Sequence, residues 1–176
     1  MTSKKFLNSL ANGKSDIIQI FLNLLEKLDL DYCVIGGLAV NAYAEPVASL
    51  DLDLVLTIGD IPKLLDQLEK AGNKFTVTKY SHSINLDHPD SDLRIQIQTD
   101  ERYQSFIKNA ALKNVLGYRM KVASLEDLLK RKVWAYSDEE RRKSKRQKDL
   151  ADIMRLIETY PNLAELLPEK IKKLLG

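Results

Sequence analysis

The chain has 176 residues, 44% of them hydrophobic and 30% charged, with a net charge of +2. That length fits one domain with a sizeable core, and that composition excludes a disordered chain. A single cysteine, Cys33, rules out an internal disulfide framework, and two histidines without cysteine support rule out a zinc site. The N-terminal "MTSKKFLNSLANGKSD" lacks the apolar core of a signal peptide. No apolar run approaches the ~20 residues that span a bilayer. These features lead to the expectation of a soluble, cytoplasmic protein without membrane partners.

The first expected element runs from Ser15 to Leu28, where Ile17, Ile18, Phe21, Leu24, Leu25 and Leu28 follow helical spacing behind a Ser15 or Asp16 cap. "YCVI" reads as a short strand broken by Gly36-Gly37, and "LAVNAYA" as a short helix ending before Pro46. "SLDLDLVLT" is a strand. "IPKLLDQLEKAG" opens with a proline suited to a first helical turn and closes on Gly72, so it reads as a helix.

"KFTVTKY" and "SINL" follow as strands, the latter running into the turn-rich "DHPDSD". "LRIQIQT" alternates strictly. "RYQSFIKNA" is a short helix, and "YRMKVAS" a strand leading into a helix that begins at Ser124. The charged "SDEERRKSKRQK" is a link or helix start. It precedes "DLADIMRLIETY", where Leu150, Ile153, Met154 and Ile157 share one stripe. A short helix follows Pro161. The order begins α-β-α-β-α-β-β-β and ends in helices, which defines an α/β (α+β) class: a mixed sheet flanked by helices over residues 1–123, with a C-terminal helical part over 124–176.

Two features carry chemistry. A strand ending in Gly36-Gly37 at a helix start is either a tight turn or a place where backbone approaches a phosphate. In "SLDLDLVL", residues two apart share a face, so Asp51 and Asp53 project together while Leu50, Leu52 and Leu54 turn to the core. Paired carboxylates either meet solvent or hold a cation, for which Mg²⁺ with substrate phosphates is the natural choice. The stretch from Lys130 to Lys148 is strongly basic. It reads either as a solvated helix face or as a phosphate-binding surface, with Trp134 and Tyr136 as stacking residues. The acids at Asp87, Asp90 and Asp92 read as a solvated turn.

Together, "VIGGLAVNAY" and "DLDLVL" resemble the signature of the nucleotidyltransferase superfamily, and within it the AbiEii/AbiGii-type toxin branch. "LEDLLKRKVWAY" and "KDLADIMRLIETYP" resemble that branch's C-terminal pattern. The resemblance implies an enzyme with a polymerase-beta-like fold that moves a nucleoside monophosphate from an NTP to an acceptor hydroxyl on RNA or protein. It further implies that Gly36 and Gly37 hold the triphosphate and that Asp51 and Asp53 bind Mg²⁺ (or Mn²⁺), with two metals acting in line. Lys132 would contact a phosphate or the base-sugar region. Asp149 and Asp152, with Lys148, would position nucleotide or acceptor. An operon-encoded protein partner is a further expectation of the toxin branch.

Two departures stand out. Val47 occupies the place of the family's usual Arg, with Ser49 in place of Thr. Gln96, in "LRIQIQT", falls where a third carboxylate is usual, and Arg94 on the same face would oppose a cation. The sequence therefore leaves three readings open: catalysis with a borrowed acid, Asp92 or Asp100; nucleotide binding with one metal and slow chemistry; or a catalytically degenerate module that binds nucleotide, RNA or a partner protein.

Overall fold

In the computed structural model, which describes residues 1–70 and 72–176, a seven-stranded mixed sheet carries helices and leaves part of one face open. The chain opens with α1 (Ser3–Leu10), an element the sequence reading missed. Its cap is Thr2, whose side chain accepts from the Lys5 N–H, and Leu7 anchors it in the core. α2 (Ile17–Lys27) starts on Asp16 and buries Ile17, Ile18, Phe21, Leu22 and Leu25 on one stripe. β1 (Tyr32–Val34) is buried along its whole length, as a central strand must be. The glycines then lead into the four-residue α3 (Gly37–Val40).

β2 (Asp51–Leu56) alternates as expected at its start, with Leu52 and Leu54 fully buried and the two aspartates on the other face. Leu50 departs from the expectation. It lies just ahead of the strand and is 38% exposed, because the sheet's core face ends there. α4 (Ile61–Leu68) begins with the proline in its first turn and stops earlier than the expected Gly72. Gly72 has a φ of 89°, a stop conformation that glycine adopts freely. Ala71, within that expected helix, lies outside the described residues.

β3 (Thr76–Lys79), β4 (Ser83–His88) and β5 (Ser91–Gln98) form an antiparallel meander whose second turn shrinks to Pro89-Asp90. α5 (Gln104–Lys108) follows. The hairpin of β6 (Ala111–Val115) and β7 (Tyr118–Val122) turns through Leu116-Gly117, both at positive φ. β6 was not expected. Its pattern is mostly exposed, so it lacks the alternation that marks a half-buried strand.

The strand order is β3-β4-β5-β2-β1-β7-β6. β2 pairs parallel to β5 and β1 parallel to β7, and the remaining pairs are antiparallel. The main core lies on the face of Leu52, Leu54, Ile84, Leu86, Ile95 and Ile97, against α2 and α5. A second apolar cluster joins Val40 of α3 to α6 (Leu125–Ser137), α7 (Lys143–Thr159) and α8 (Glu169–Leu175) through Leu129, Ile153, Leu156, Leu163 and Ile171. That cluster is what presses α6 and α7 against the glycine turn. Of the expected stripe on α7, Ile153 is fully buried whereas Met154 is exposed. Among the described residues no helix is long and apolar enough to cross a membrane.

Candidate active site

The glycine turn and the Asp-x-Asp strand meet because β1 and β2 are neighbours. The Ile35 N–H donates to the Asp53 carbonyl at 2.9 Å, which sets Gly36 directly beside Asp53. A Cβ on Gly36 would collide with the Asp53 carboxylate, and it would stand 2.7 Å from the Asp53 Cβ. Gly36 has a φ of −86°, so it is glycine for lack of room and not for backbone freedom. A Cβ on Gly37 would lie 3.8 Å from both the Asp152 Oδ2 and the Ser49 Oγ. Gly36, Gly37, Ser49, Asp53 and Asp152 thus surround one small space at the end of β2.

Asp51 lines the same rim. Ser49 Oγ accepts from its N–H at 3.3 Å, and Lys145 Nζ of α7 donates to its Oδ2 at 3.2 Å. Desolvation pushes the Asp53 carboxyl above the usual carboxylate range, and the Asp51 charge pushes the same way. Arg131, Lys132 and Lys145 pull in the opposite direction without overcoming the burial.

Behind this rim lies a buried ion network. Lys132 Nζ reaches Asp149 Oδ1 at 3.2 Å and Asp152 Oδ2 at 2.7 Å. Asp149 also accepts from Arg141 Nε at 2.7 Å and has Arg131 Nη1 at 3.8 Å. Arg155 Nη1 donates to Asp152 Oδ1 at 2.7 Å, while its Nη2 donates to Asn41 Oδ1 and to the Glu45 carbonyl. Asn41 in turn clamps both backbone groups of Val47. A guanidinium from α7 therefore braces the loop in which Val47 replaces the expected Arg.

Gln96 is the register partner of Asp53 in the parallel β2–β5 pair, as Arg94 is of Asp51. On the far side Gln96 pairs with Asn85 of β4. The row Asp53–Gln96–Asn85 thus crosses three strands on the open face, with a neutral amide at the expected third-acid position. Arg94, expected to oppose a cation, instead sits 3.7 Å from Asp87 and is largely exposed. The two substitute acids are engaged elsewhere: Asp92 accepts from Asn12, and Asp100 from Arg102, whose guanidinium holds its carboxyl below the usual range.

The basic stretch needs a correction. Arg131 and Lys132 turn inward and are buried, so the run is not one surface; Lys130, Arg142, Lys143 and Lys148 remain exposed. Gly36, Gly37, Asp51, Asp53, Lys132, Asp149 and Asp152 are gathered together, while Lys148, next to Asp149 in sequence, has an exposed side chain. Trp134 offers no bare ring face: Phe106 stacks on it at 6.0 Å between ring centres, and Arg102 lies 5.1 Å from its centre. Arg146 likewise covers Tyr136. Sequence reasoning missed Arg131, Arg141, Lys145 and Arg155 as individual contributors. The signal available was their spacing along α6 and α7 relative to Lys132 and Asp149.

Among the described residues there is no group of three or more His, Cys, Asp or Glu side chains placed to hold a metal. Asp51 and Asp53 on one rim fit a single Mg²⁺ that takes its remaining ligands from phosphates and water. A second, carboxylate-bridged ion finds no acid at Gln96.

A seven-stranded mixed sheet with paired aspartates beside a strand-ending glycine turn defines a nucleotidyltransferase-type fold. Solved structures agree. One is the crystal structure of ANT(2")-Ia in complex with adenylyl-2"-tobramycin, with 18% identity and a TM-score of 0.59 over 90% of this chain and 92% of that one. Another is the lincosamide antibiotic adenylyltransferase LnuA, lincomycin-bound, with 15% identity and a TM-score of 0.54 over 82% and 98%. A third is an antigenic nucleotidyltransferase-like protein from Paracoccidioides brasiliensis, with 20% identity and a TM-score of 0.55 over 89% and 78%. No curated protein matches the sequence at a significant level. The family model for the nucleotidyl transferase AbiEii toxin, type IV toxin–antitoxin system, matches residues 24–175, and the chain belongs to that family.

Proposed function

We propose that the chain transfers a nucleoside monophosphate from an NTP to an acceptor hydroxyl, with Mg²⁺ or Mn²⁺ held at Asp51 and Asp53. The observation that carries this reading is the packing of Gly36 on the Asp53 carboxylate. A glycine kept for lack of room brings a bare backbone beside a desolvated acid, which suits a polyphosphate lying along the turn. When bound, the cation neutralises phosphate charge and balances the two aspartates.

The chain's own groups do the rest. Gly37, Ser49 and Asp152 frame the space next to the turn. Lys132 fixes Asp152 and Asp149, and Lys145 stands ready to move from Asp51 to a phosphate oxygen. The acceptor oxygen attacks the α-phosphorus, the bond to the bridging oxygen breaks, pyrophosphate leaves with the electron pair, and the hydroxyl proton passes to water. RNA is the acceptor that suits the exposed Lys130, Arg142, Lys143 and Lys148, and a protein hydroxyl is the alternative. A toxin-type role in the cytoplasm, with an operon-encoded protein partner, fits the family.

The test is incubation with labelled NTPs, Mg²⁺ or Mn²⁺, and mixed RNA and protein acceptors. Label transfer that Asp51→Asn with Asp53→Asn abolishes supports the reading. No transfer, or transfer surviving both substitutions, overturns it. Gln96 beside Asp53 favours a second reading, a catalytically degenerate module that binds nucleotide without turnover. NTP binding by calorimetry with no transfer to any acceptor supports that one instead.

A further inference from the structure

A large polar cavity lies beside the site, between β5 and α6. It holds about 640 Å³ and is lined by Gln96, Gln98, Arg102, Arg131, Trp134 and Arg141, among others. Its charged groups are unequal in what they have left to give. Arg102 is committed to Asp100, and Arg141 to Asp149. Arg131 is different. It is 5% exposed, and its Nε and Nη1 are buried without any hydrogen-bond partner; the nearest acid, Asp149, is 3.8 Å from Nη1 and already bound by Lys132 and Arg141. A guanidinium buried in this way costs free energy unless something accepts from it.

The neutral residue at position 96 bears on this. Gln96 lines the same cavity as Arg131 and is the register partner of Asp53. An aspartate there would place a carboxylate on the wall of the cavity that Arg131 also lines. Glutamine supplies only an amide. Glutamine at position 96 therefore adds no acid to the cavity in which Arg131 lacks a hydrogen-bond partner.

We propose that the cavity between β5 and α6 is an anion subsite, with Arg131 as its principal donor and Gln96 and Gln98 as amide partners, that receives a phosphate ester carried by the acceptor. Nε and Nη1 of Arg131 are sealed off, so Nη2 is the nitrogen of that guanidinium open to the cavity, and its N–H groups beside two amides match a phosphate's oxygens. The cavity abuts the strand that pairs with Asp53, on the side away from the glycine turn, so the triphosphate and the acceptor enter from different directions. Asp100 and Asp138 also line the cavity, but Asp100 is paired with Arg102, so Arg131 is the cation left without a hydrogen-bond partner there. Anion binding stands on the cavity alone; its assignment to the acceptor rests on the nucleotidyl-transfer reading.

The experiment has two stages. First, inorganic phosphate, a sugar phosphate and a short oligonucleotide are titrated against the full chain in EDTA, followed by phosphorus NMR line width and thermal shift. The proposal expects saturable binding without metal that survives Asp51→Asn. It expects a loss of about tenfold in Arg131→Lys, which keeps the charge but not the fork, and in Gln96→Asp, which places a carboxylate on the cavity wall. Gln96→Asp leaves Arg131 itself unchanged, so it gives a second, independent reading should Arg131→Lys not fold. Binding unchanged in both variants, or binding that needs Mg²⁺ and vanishes in Asp51→Asn, overturns the anion subsite. Equal affinity for all three probes identifies the phosphate itself as the recognised group, and tighter binding of the oligonucleotide identifies a nucleic-acid source for it; each supports the subsite.

Second, in the transfer assay, Arg131→Lys is expected to raise KM for a phosphate-bearing acceptor while KM for NTP is unchanged. A raised NTP KM with an unchanged acceptor KM overturns the acceptor assignment. Absence of transfer with every acceptor, alongside intact phosphate binding, refutes nucleotidyl transfer and leaves the anion subsite in place.

Discussion

Asp149 is buried and Asp53 half-buried, and the surroundings of the two carboxylates are opposites. Asp149, where α6 and α7 meet, is touched by Lys132, Arg131 and Arg141. Asp53, on the sheet, has no hydrogen bond to its carboxylate among the described residues and sits against a glycine and a neutral amide, with its pKa raised by burial. The first acid organises structure, and in the proposed reading the second waits for a cation. A cation network that satisfies one carboxylate completely can brace a site, but it leaves nothing to offer a substrate. A desolvated, under-satisfied carboxylate burdens the empty fold and becomes useful only when a cation arrives.

The widest separation between the two regions should come from Asp149→Ala. It leaves Lys132 with Asp152 alone and removes the acid nearest to the buried Arg131, and breaking a buried pair from one side costs roughly 3–5 kcal/mol. Urea denaturation should show a midpoint displaced accordingly. A loss below about 1 kcal/mol would mean that the junction is wetter than its burial indicates.

Asp53→Asn should behave in the reverse way. Transfer should fall by about 10²-fold or more, the scale for losing a principal electrostatic group at a reacting phosphate. The metal-free protein should be no less stable. The sign follows from the raised pKa: between the unfolded and the folded pKa the native state binds more protons than the unfolded chain, so stability falls as pH rises through that window. Asn at this position removes that fall. Thermal melting of both proteins across the acidic range into neutrality checks it. A wild type that gains stability as pH rises, relative to Asp53→Asn, would reverse the assignment of Asp53 as a burdened acid.

Gly36→Ala comes next. The added methyl meets the Asp53 Cβ and carboxylate, so either the side chain or the turn must shift, at about 1–3 kcal/mol. Nucleotide affinity should fall together with stability. Gly37→Ala, whose new methyl would have ordinary contacts at 3.8 Å, should spare stability. Equal stability in the two variants would remove the steric reason for the first glycine.

Much of this contrast was legible in the sequence, and the part that was not has a physical cause. Period-two spacing put Asp51 and Asp53 on one face, and the chain distance from Gly36 made their meeting plausible. Gln96 was readable as the missing acid because strict alternation in "LRIQIQT" fixes its face. The reason for Gly36 was hidden, because the atom it avoids belongs to a neighbouring strand. Arg131 and Lys145 dissolved into a run of charges, since helical spacing gives stripes but does not say which stripe meets the sheet; the packing of α6 on α7 decides that. β6 escaped because an edge strand with one exposed and one half-covered face shows no alternation, and α1 because a two-turn helix with a single buried leucine carries little signal.

The finest probe of the difference is Lys145→Ala. The Lys145–Asp51 pair is half open to water, with 38% and 34% of the two side chains exposed, so its removal should change stability by less than about 1 kcal/mol. Its effect should appear in ion binding. Lys145 Nζ occupies the position from which a divalent cation would approach Asp51, and the two charges compete for one carboxylate. Removing the ammonium should tighten Mn²⁺ binding to the nucleotide-free protein by about tenfold or less, as expected for a pair in a partly solvated site. The same variant should bind NTP more weakly if the freed lysine normally reaches a phosphate. Manganese titration by electron paramagnetic resonance, with and without nucleotide, separates the two effects. Unchanged Mn²⁺ affinity would place the cation away from Asp51, and the contrast between a saturated junction and a waiting rim would then have to be drawn around Asp53 alone.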